Sequence, residues 1–394
     1  MKKILFLGGS SSQIFAYEEA KKMGYITICA DYLSSSPGHA IADKSFLIST
    51  TDKNKILNLS KKLKVDTIIP YASDPAAVTS SYVLEKLKLK SNPYYSVKIL
   101  TNKIKFRTFL KKNRFNTPNF IKYKNYKQLK FFFLKNQKKI VVKPVDSSGS
   151  KGVSLVRNEK DLKKAVLMAL KFSKSKSVIA EEYISNQGPQ IAGDAYILNS
   201  KLAYIFLANE HFKKEGNTLV PIGESFPYIY SKKWKEKIRC EIQKLIKLIG
   251  MKFGPINLDI KIHNNKIYLM EIGPRNGGNL IPQVINHCYG INTVEMTIKS
   301  YLNEKIELKK PQKKKNYATY IINTKKNGIL KKINFKKSIK DNLICQYIWK
   351  NKGDDVKKYN NSGDSIGACI FKFKSNNEMI DKMSKIEKFV NVKC

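Results

Sequence analysis

The sequence predicts an α/β protein: a doubly wound parallel sheet, then a second α/β unit, then a small β-rich tail. Three observations predict it. Short apolar runs alternate with helical segments across residues 1–95, the pattern of a parallel sheet covered by helices. Two apolar strands near residue 259 form a hairpin with an acid in each arm. From residue 317 onward, short strands and turns take over. At 394 residues the chain is long enough for two or three domains, each with its own core.

In the first region Lys3–Leu7 reads as a buried strand. Gly8-Gly9-Ser10-Ser11-Ser12-Gln13 is a tight polar turn into a helix at Ile14–Met23. Ile26–Ala30, Ser45–Ile48 and Thr67–Pro70 are further strands, with helices at Ile56–Leu63 and Pro75–Leu87. Ligands of such sheets bind at the carboxyl ends of strands, here near Gly8–Gln13, Asp31 and Ala72–Asp74. The glycine turn is not a full Gly-x-Gly-x-x-Gly, which argues against a dinucleotide; an anion at the helix N-terminus and a plain strand-to-helix turn both remain open.

Residues 96–120 read as a helical connector. Its stretch from Thr101 to Arg107 carries cations on one helix face that, alone, reads as solvated. Ile140–Pro144 is a buried strand ending in Lys143, a costly burial unless the ammonium is paired or holds an anion. The loop Val145–Val153 has hydroxyls, backbone donors and Lys151, the chemistry that covers phosphates. It is not a Walker loop, because no Gly-Lys-Ser/Thr opens a helix, and a disordered turn is the plainer alternative. Ser177–Ala180 runs into Glu181-Glu182-Tyr183-Ile184, and strands follow at Gln190–Leu198 and Leu202–Asn209. His211, beside Glu210, is a candidate for acid/base work or a packed histidine. A polar loop leads to Val220 and Pro221–Pro227, and Lys232–Gly250 is an amphipathic helix.

The hairpin follows. Asn257–Ile262 and Ile267–Ile272 flank His263-Asn264-Asn265-Lys266, which is turn chemistry. It brings Asp259 and Glu271 side by side, where they repel unless a cation lies between them. Mg²⁺ suits one or two carboxylates plus phosphate oxygens. Arg275 offers a planar fork for phosphate or carboxylate, and Gly277-Gly278 permits close backbone approach. Solvated acids on a surface hairpin are the alternative. A helix near Ile281–His287, a charged linker at 309–316, a strand at Ser365–Phe373 and a helix at Asn377–Phe389 complete the chain.

The formal charge of +43 asks for a nucleic-acid partner. The cations are nearly all lysines spread along the chain, with Arg only at 107, 114, 157, 239 and 275. Nucleic-acid readers use Arg forks and interleaved aromatics, so no specific nucleic acid is expected. No apolar run approaches a membrane span. The apolar start turns at Gly8 too early for a signal peptide. Six cysteines without a Cys-x-x-Cys pair suggest reduced thiols in a cytoplasm and no zinc site.

In this order, Thr101-Asn102-Lys103…Arg107, Val142-Lys143-Pro144, Ser147–Gly152, Ala180–Ile184 and Asp259…Glu271-Ile272-Gly273-Pro274-Arg275 resemble the ATP-grasp superfamily. The resemblance covers most of the chain and is closest to carboxylate–amine ligases and biotin-carboxylase-like members. It implies a preATP-grasp domain at 1–95 and an ATP-grasp domain at 96–308, with lobes at about 120–185 and 186–308. A C-terminal α+β subdomain follows at 309–394.

By position, Lys103 and Lys143 would hold ATP phosphates under a lid that includes Ser148, Gly149, Ser150, Lys151 and Gly152. Glu181, Glu182 and Ile184 would form the strand that reads adenine, and Gln190 falls at a ribose contact. Asp259 and Glu271 would bind Mg²⁺, with Mn²⁺ as a substitute, and Arg275 would steady an acyl-phosphate. The family commonly has Glu-x-Asn-Pro-Arg; here Gly273 replaces the Asn, which puts a second metal in doubt and makes Asn276 a candidate substitute. The implied function is ATP-dependent joining of a small-molecule carboxylate to an amine, with Arg275, Lys143 and His211 as catalytic candidates and a homodimer as one assembly. The alternatives are a bicarbonate-activating carboxylase resembling carboxyaminoimidazole ribonucleotide synthetase, and a nucleotide-binding protein without activity.

Overall fold

The structure, a computed structural model, describes residues 1–214, 218–312 and 315–394. Residues 215–217 of the expected polar loop and 313–314 of the expected charged linker lie outside the described residues.

The first strands, β1 (Lys3–Leu7), β2 (Ile26–Asp31), β3 (Lys44–Leu47) and β4 (Thr67–Ile69), form a parallel sheet of order β3-β2-β1-β4. The apolar faces of α1 (Ile14–Lys22), α3 (Lys53–Leu63) and α4 (Asp74–Lys86) pack on it, while the short α2 (Gly38–Ile41) leads into β3. Both α3 and the later α6 are started by side-chain caps: Asp52 accepts from the Lys55 amide and Asn102 from the Lys105 amide. Such caps satisfy amides that a helix start leaves without partners. The connector holds α5 (Tyr94–Leu100) and α6 (Lys103–Lys112).

A small antiparallel sheet of order β5-β8-β6-β7 follows, from β5 (Phe120–Lys122), β6 (Ile140–Pro144), β7 (Ser154–Val156) and β8 (Val178–Glu182). Leu129 and Phe133 of α7 (Tyr126–Lys135), with Leu162, Ala165 and Ala169 of α8 (Leu162–Phe172), give this lobe its own core.

The large sheet is antiparallel, of order β13-β12-β9-β10-β11-β14-β19-β17. Its first part is β9 (Gln190–Leu198), β10 (Lys201–Phe212), β11 (Pro221–Phe226), β12 (Gly254–His263) and β13 (Lys266–Gly273). Along α9 (Lys232–Ile249), Ile238, Ile242, Leu245 and Ile249 are buried on this sheet, and Gly250 ends the helix at φ 77°, where a side chain would be strained. Beyond α10 (Ile281–Tyr289), helix α11 (Thr293–Tyr301) places Val294, Ile298 and Tyr301 in the core of the first sheet.

The tail contributes β14 (Asn316–Ile322), β15 (Gly328–Ile329), β16 (Lys332–Phe335), α12 (Lys337–Lys340), β17 (Leu343–Ile348), β18 (Asp355–Val356), β19 (Gly367–Phe373), α13 (Asn376–Ser384) and β20 (Val390–Lys393). Its β14, β19 and β17 extend the large sheet through β11. The helix expected over 377–389 ends at Ser384, because the chain turns there to pair β20 with β16. Among the described residues no helix is long and apolar enough to cross a membrane.

Candidate active site

The β12–β13 turn has Asn264 and Asn265 both at positive φ, 46° and 55°. Asparagine tolerates this, and the resulting tight turn matches strand twist and sets the register. That register runs to Ile260 opposite Leu269; a bulge at Met270 then shifts it by one residue, so that Asp259 pairs directly with Glu271 across the hairpin. Directly opposed residues share a face. The band continues: Asp259 lies opposite Ala192, Gln190 opposite Glu210, and Glu210 opposite Glu224. Five adjacent strands thus present Glu271, Asp259, Gln190, Glu210 and Glu224 on one face. Gln190 braces it, its Nε2 donating to Asp259 Oδ1 and Glu210 Oε2, both at 2.6 Å.

Burial, then the charge of Glu271, pushes the Asp259 carboxyl up to about 6. Burial, then Asp259 and Glu224, pushes Glu210 well above the usual carboxylate range. A band of acids held against their own repulsion favours a cation beside it.

The cations come from other elements. Lys103, first residue of α6, donates from Nζ to the Ser147 carbonyl at 2.6 Å and lies 3.5 Å from Glu271 Oε2. Lys143, near the end of β6, lies 2.6 Å from Glu181 Oε2. Glu181 also accepts from Arg107 Nε at 2.9 Å and Nη2 at 3.3 Å. Arg107 in turn donates to the Leu269 and Met270 carbonyls, so α6, β8 and the hairpin meet in one network. The Arg107 side chain is 0% exposed, which corrects the solvated-face reading: its charge is balanced inside. Burial alone would raise the Glu181 carboxyl, but the Arg107 guanidinium and Lys143 ammonium bring it down to about 2. Lys143 itself is lowered, since burial and the like charges of Arg107 and Lys103 outweigh its one carboxylate.

A cleft of about 780 Å³ runs between the small lobe and the acid band. Lys103, Lys143, Glu181, Glu182, Ile184, Gln190, Asp259 and Glu271 line it, as do Ser148, Gly149 and Ser150 of the loop above. Gly149, Ser150 and Gly152 take φ of 65°, 58° and 73°, and that curl aims the loop back over the cleft. The Gly149 carbonyl accepts from the Ser362 amide at 3.1 Å and Ser150 Oγ donates to the Leu219 carbonyl at 3.2 Å. Lys151 does not line this cleft, and Gly152 lines a separate one beside Asn361. The Glu182 carboxylate accepts from the Asn119 amide and side chain, while the Glu182 amide donates to the Asn119 carbonyl at 2.8 Å.

Sequence reading missed Lys261, whose Nζ donates to the Ile184 carbonyl at 3.1 Å. The signal was there: Lys261 is two residues past Asp259, on the same strand face.

Arg275 is spoken for. Its Nε donates to Asp74 Oδ1 at 3.0 Å, Nη2 to Asp74 Oδ2 at 2.9 Å, and Nη1 to the Asn276 carbonyl at 3.1 Å. This pair explains Gly273: a Cβ there would lie 2.8 Å from Asp74 Oδ1 and 3.0 Å from Arg275 Cζ. Asn276 is buried with its side-chain oxygen accepting from Thr297 Oγ1, so it faces α11 and lines neither cavity beside Glu271. His211 pairs with Gly223 on the face of β10 opposite Glu210 and bonds Ser225 Oγ at 2.9 Å. The structure brings together Asp259, Glu271, Lys103, Lys143 and the loop; His211 and Asn276 are turned away.

These residues fit a magnesium nucleotide. Asp259 and Glu271 can take one Mg²⁺ together with phosphate oxygens, Lys103 and Lys143 face the same space, and Gly273 supplies no ligand for a second ion.

Comparison with known proteins gives the same picture. Residues 100–279 match the ATP-grasp domain family. The chain is 26% identical over 344 residues to the formate-dependent phosphoribosylglycinamide formyltransferase of Prochlorococcus marinus (strain MIT 9515), covering 83% of each. Its fold is similar to that of L-amino acid ligase from Bacillus licheniformis (TM-score 0.81, 18% identity, 100% of this chain and 98% of the other). It is also similar to phosphoribosylglycinamide synthetase from Anaerococcus prevotii (TM-score 0.77, 23% identity, 100% and 99%). The family match takes in all of the phosphate-facing and acid groups from Lys103 to Arg275, so residues 100–279 form an ATP-grasp domain, with ATP and Mg²⁺ as its cofactors.

Proposed function

We propose that this enzyme activates a small-molecule carboxylate with ATP and passes the acyl group to an amine. The in-register pairing of Asp259 with Glu271, with Lys103 3.5 Å from Glu271, carries the reading. Similarity to formyltransferases that use formate supports it. A carboxylate oxygen attacks the γ-phosphorus, the bond to the bridging oxygen breaks, and ADP leaves. The amine nitrogen then attacks the acyl carbon, phosphate leaves, and the nitrogen loses its proton.

Each step asks something of this chain. Lys103 and Lys143 offset phosphate charge where it develops. Asp259 and Glu271 would hold Mg²⁺, which supplies further charge neutralisation when bound. The loop Ser147–Gly152 excludes water, which protects an acyl-phosphate from hydrolysis. Asp74 orients Arg275 toward the end of the hairpin. Glu182 and Ile184 present backbone groups for the base, with Lys261 fixing the Ile184 carbonyl. In this reading residues 1–95, 96–308 and 309–394 act as three units, with Asp74 reaching from the first into the second.

The test is ADP release from candidate acids with hydroxylamine as trap. An acid-dependent hydroxamate is the expected result. Phosphate release that depends on bicarbonate and yields no hydroxamate would replace the reading with a carboxylase.

A further inference from the structure

A second cavity, of about 940 Å³ including its mouth, opens against the other side of Glu271. It shares Lys103, Ser147, Met270 and Glu271 with the nucleotide cleft, so whatever fills it abuts the phosphate end. Its floor is apolar, built from Val78 of α4, Leu100 of α5, Phe106 of α6, and Met270 and Ile272 of β13. Its charges are unequal in what they have left to offer.

Two of the three acids in the wall are committed, and the third, Glu271, belongs to the metal-facing pair. Asp74 is held by Arg275. Asp146 accepts from Ser173 Oγ and the Lys174 and Ser175 amides. Glu271 faces Lys103 and Asp259. Of the ammonium groups in the wall, Lys103 is taken up by Ser147 and Glu271, while among the described residues Lys53, Lys98 and Lys174 form no close ion pair with a carboxylate, although Asp146 also attracts Lys174. Lys53 instead donates to Tyr94 Oη and lies over the Tyr82 and Tyr94 rings. A cationic rim beside two satisfied acids favours an anion, and an apolar floor rewards a hydrocarbon body.

The geometry points to this cavity as the seat of the acid that is activated, and to that acid as a small carboxylic acid with an apolar body. The assignment rests on the ligase reading above. Its carboxylate would stand at the shared wall of Lys103, Ser147 and Glu271, with its body on Val78, Leu100 and Phe106. Formate, named in the relatives' activity, has no body to place there.

The test is calorimetric titration of the full chain, loaded with Mg-ADP, with unbranched monocarboxylates from formate to hexanoate. Hydroxylamine trapping with ATP runs in parallel. Affinity rises about fourfold for each added methylene. Val78→Phe fills the floor and removes that dependence. Lys98→Glu, an exposed rim change that spares the core, weakens every acid in the series by about fivefold. Mg-ADP affinity is unchanged in both variants. Affinity that is flat along the series, or indifferent to both variants, overturns the assignment, as does hydroxamate from formate alone. Chain-length-dependent binding that is lost in Val78→Phe but yields no hydroxamate upholds the cavity and sinks the ligase reading instead.

Discussion

Glu181, buried, and Asp259, half-buried, are carboxylates in the wall of one cleft, and they have opposite fates. Glu181 lies between Arg107 and Lys143 and is held ionised, its carboxyl brought down to about 2. Asp259 lies opposite Glu271, and burial with that neighbour pushes it up to about 6. Burial is common to both, so the neighbour decides. The first site is closed upon itself and braces the small lobe against the hairpin. The second is built with its charge unbalanced, which suits a group that must receive a metal ion.

The largest effect that sharpens this contrast is on chemistry. Glu271→Ala lowers ADP formation about a thousandfold, with circular dichroism unchanged. Full turnover would remove the metal role from the hairpin. Asp259→Asn shares that loss and leaves the metal-free chain at least as stable, because a like-charge contact is relieved; Mg-ADP then no longer raises its melting temperature.

Glu181→Gln acts the other way, on stability first. It leaves Arg107 and Lys143 without their anion at a cost of about 3–5 kcal/mol, measured by denaturant unfolding. The pH dependence follows in sign. The folded carboxyl titrates below its ordinary value of 4.5, so its stabilisation is complete above about pH 4.5 and is lost as pH falls through about 2. The gap between wild type and Glu181→Gln narrows over that window. A gap independent of pH would mean the pair is not what holds the site.

Two smaller effects test the surroundings. Gly149→Ala, at φ 65°, drives a Cβ into Ser362 Oγ, and the loop's fit over the cleft suffers. The KM for ATP rises about fivefold, in keeping with strain of about 1–2 kcal/mol, while Mg-independent stability changes little. His211→Ala, on the far face of β10, changes kcat by less than about threefold. A large drop in kcat would return His211 to the chemistry.

Much of this was legible in local pattern. The alternation of strands and helices through residue 87, the Asn264-Asn265 turn and the acid in each arm need only neighbours along the chain, because period and turn chemistry act over a few residues. Lys143 ending an apolar strand announced that it needs an anion. Three features were not legible. Arg107 looked like one cation on a solvated face, yet its partner Glu181 is 74 residues away. Asp74 and Arg275 meet across 201 residues, and only their meeting explains why position 273 has no side chain. His211 looked as promising as Glu210, but pairing with Gly223 put the two on opposite faces.

The sequence by itself therefore determined many of the elements, the hairpin turn and the acid in each of its arms. The tertiary structure alone decided which charges are spent on one another and which remain for a ligand. That division is physical: backbone preferences are short-ranged, whereas the cost of a buried charge depends on whatever the fold brings beside it.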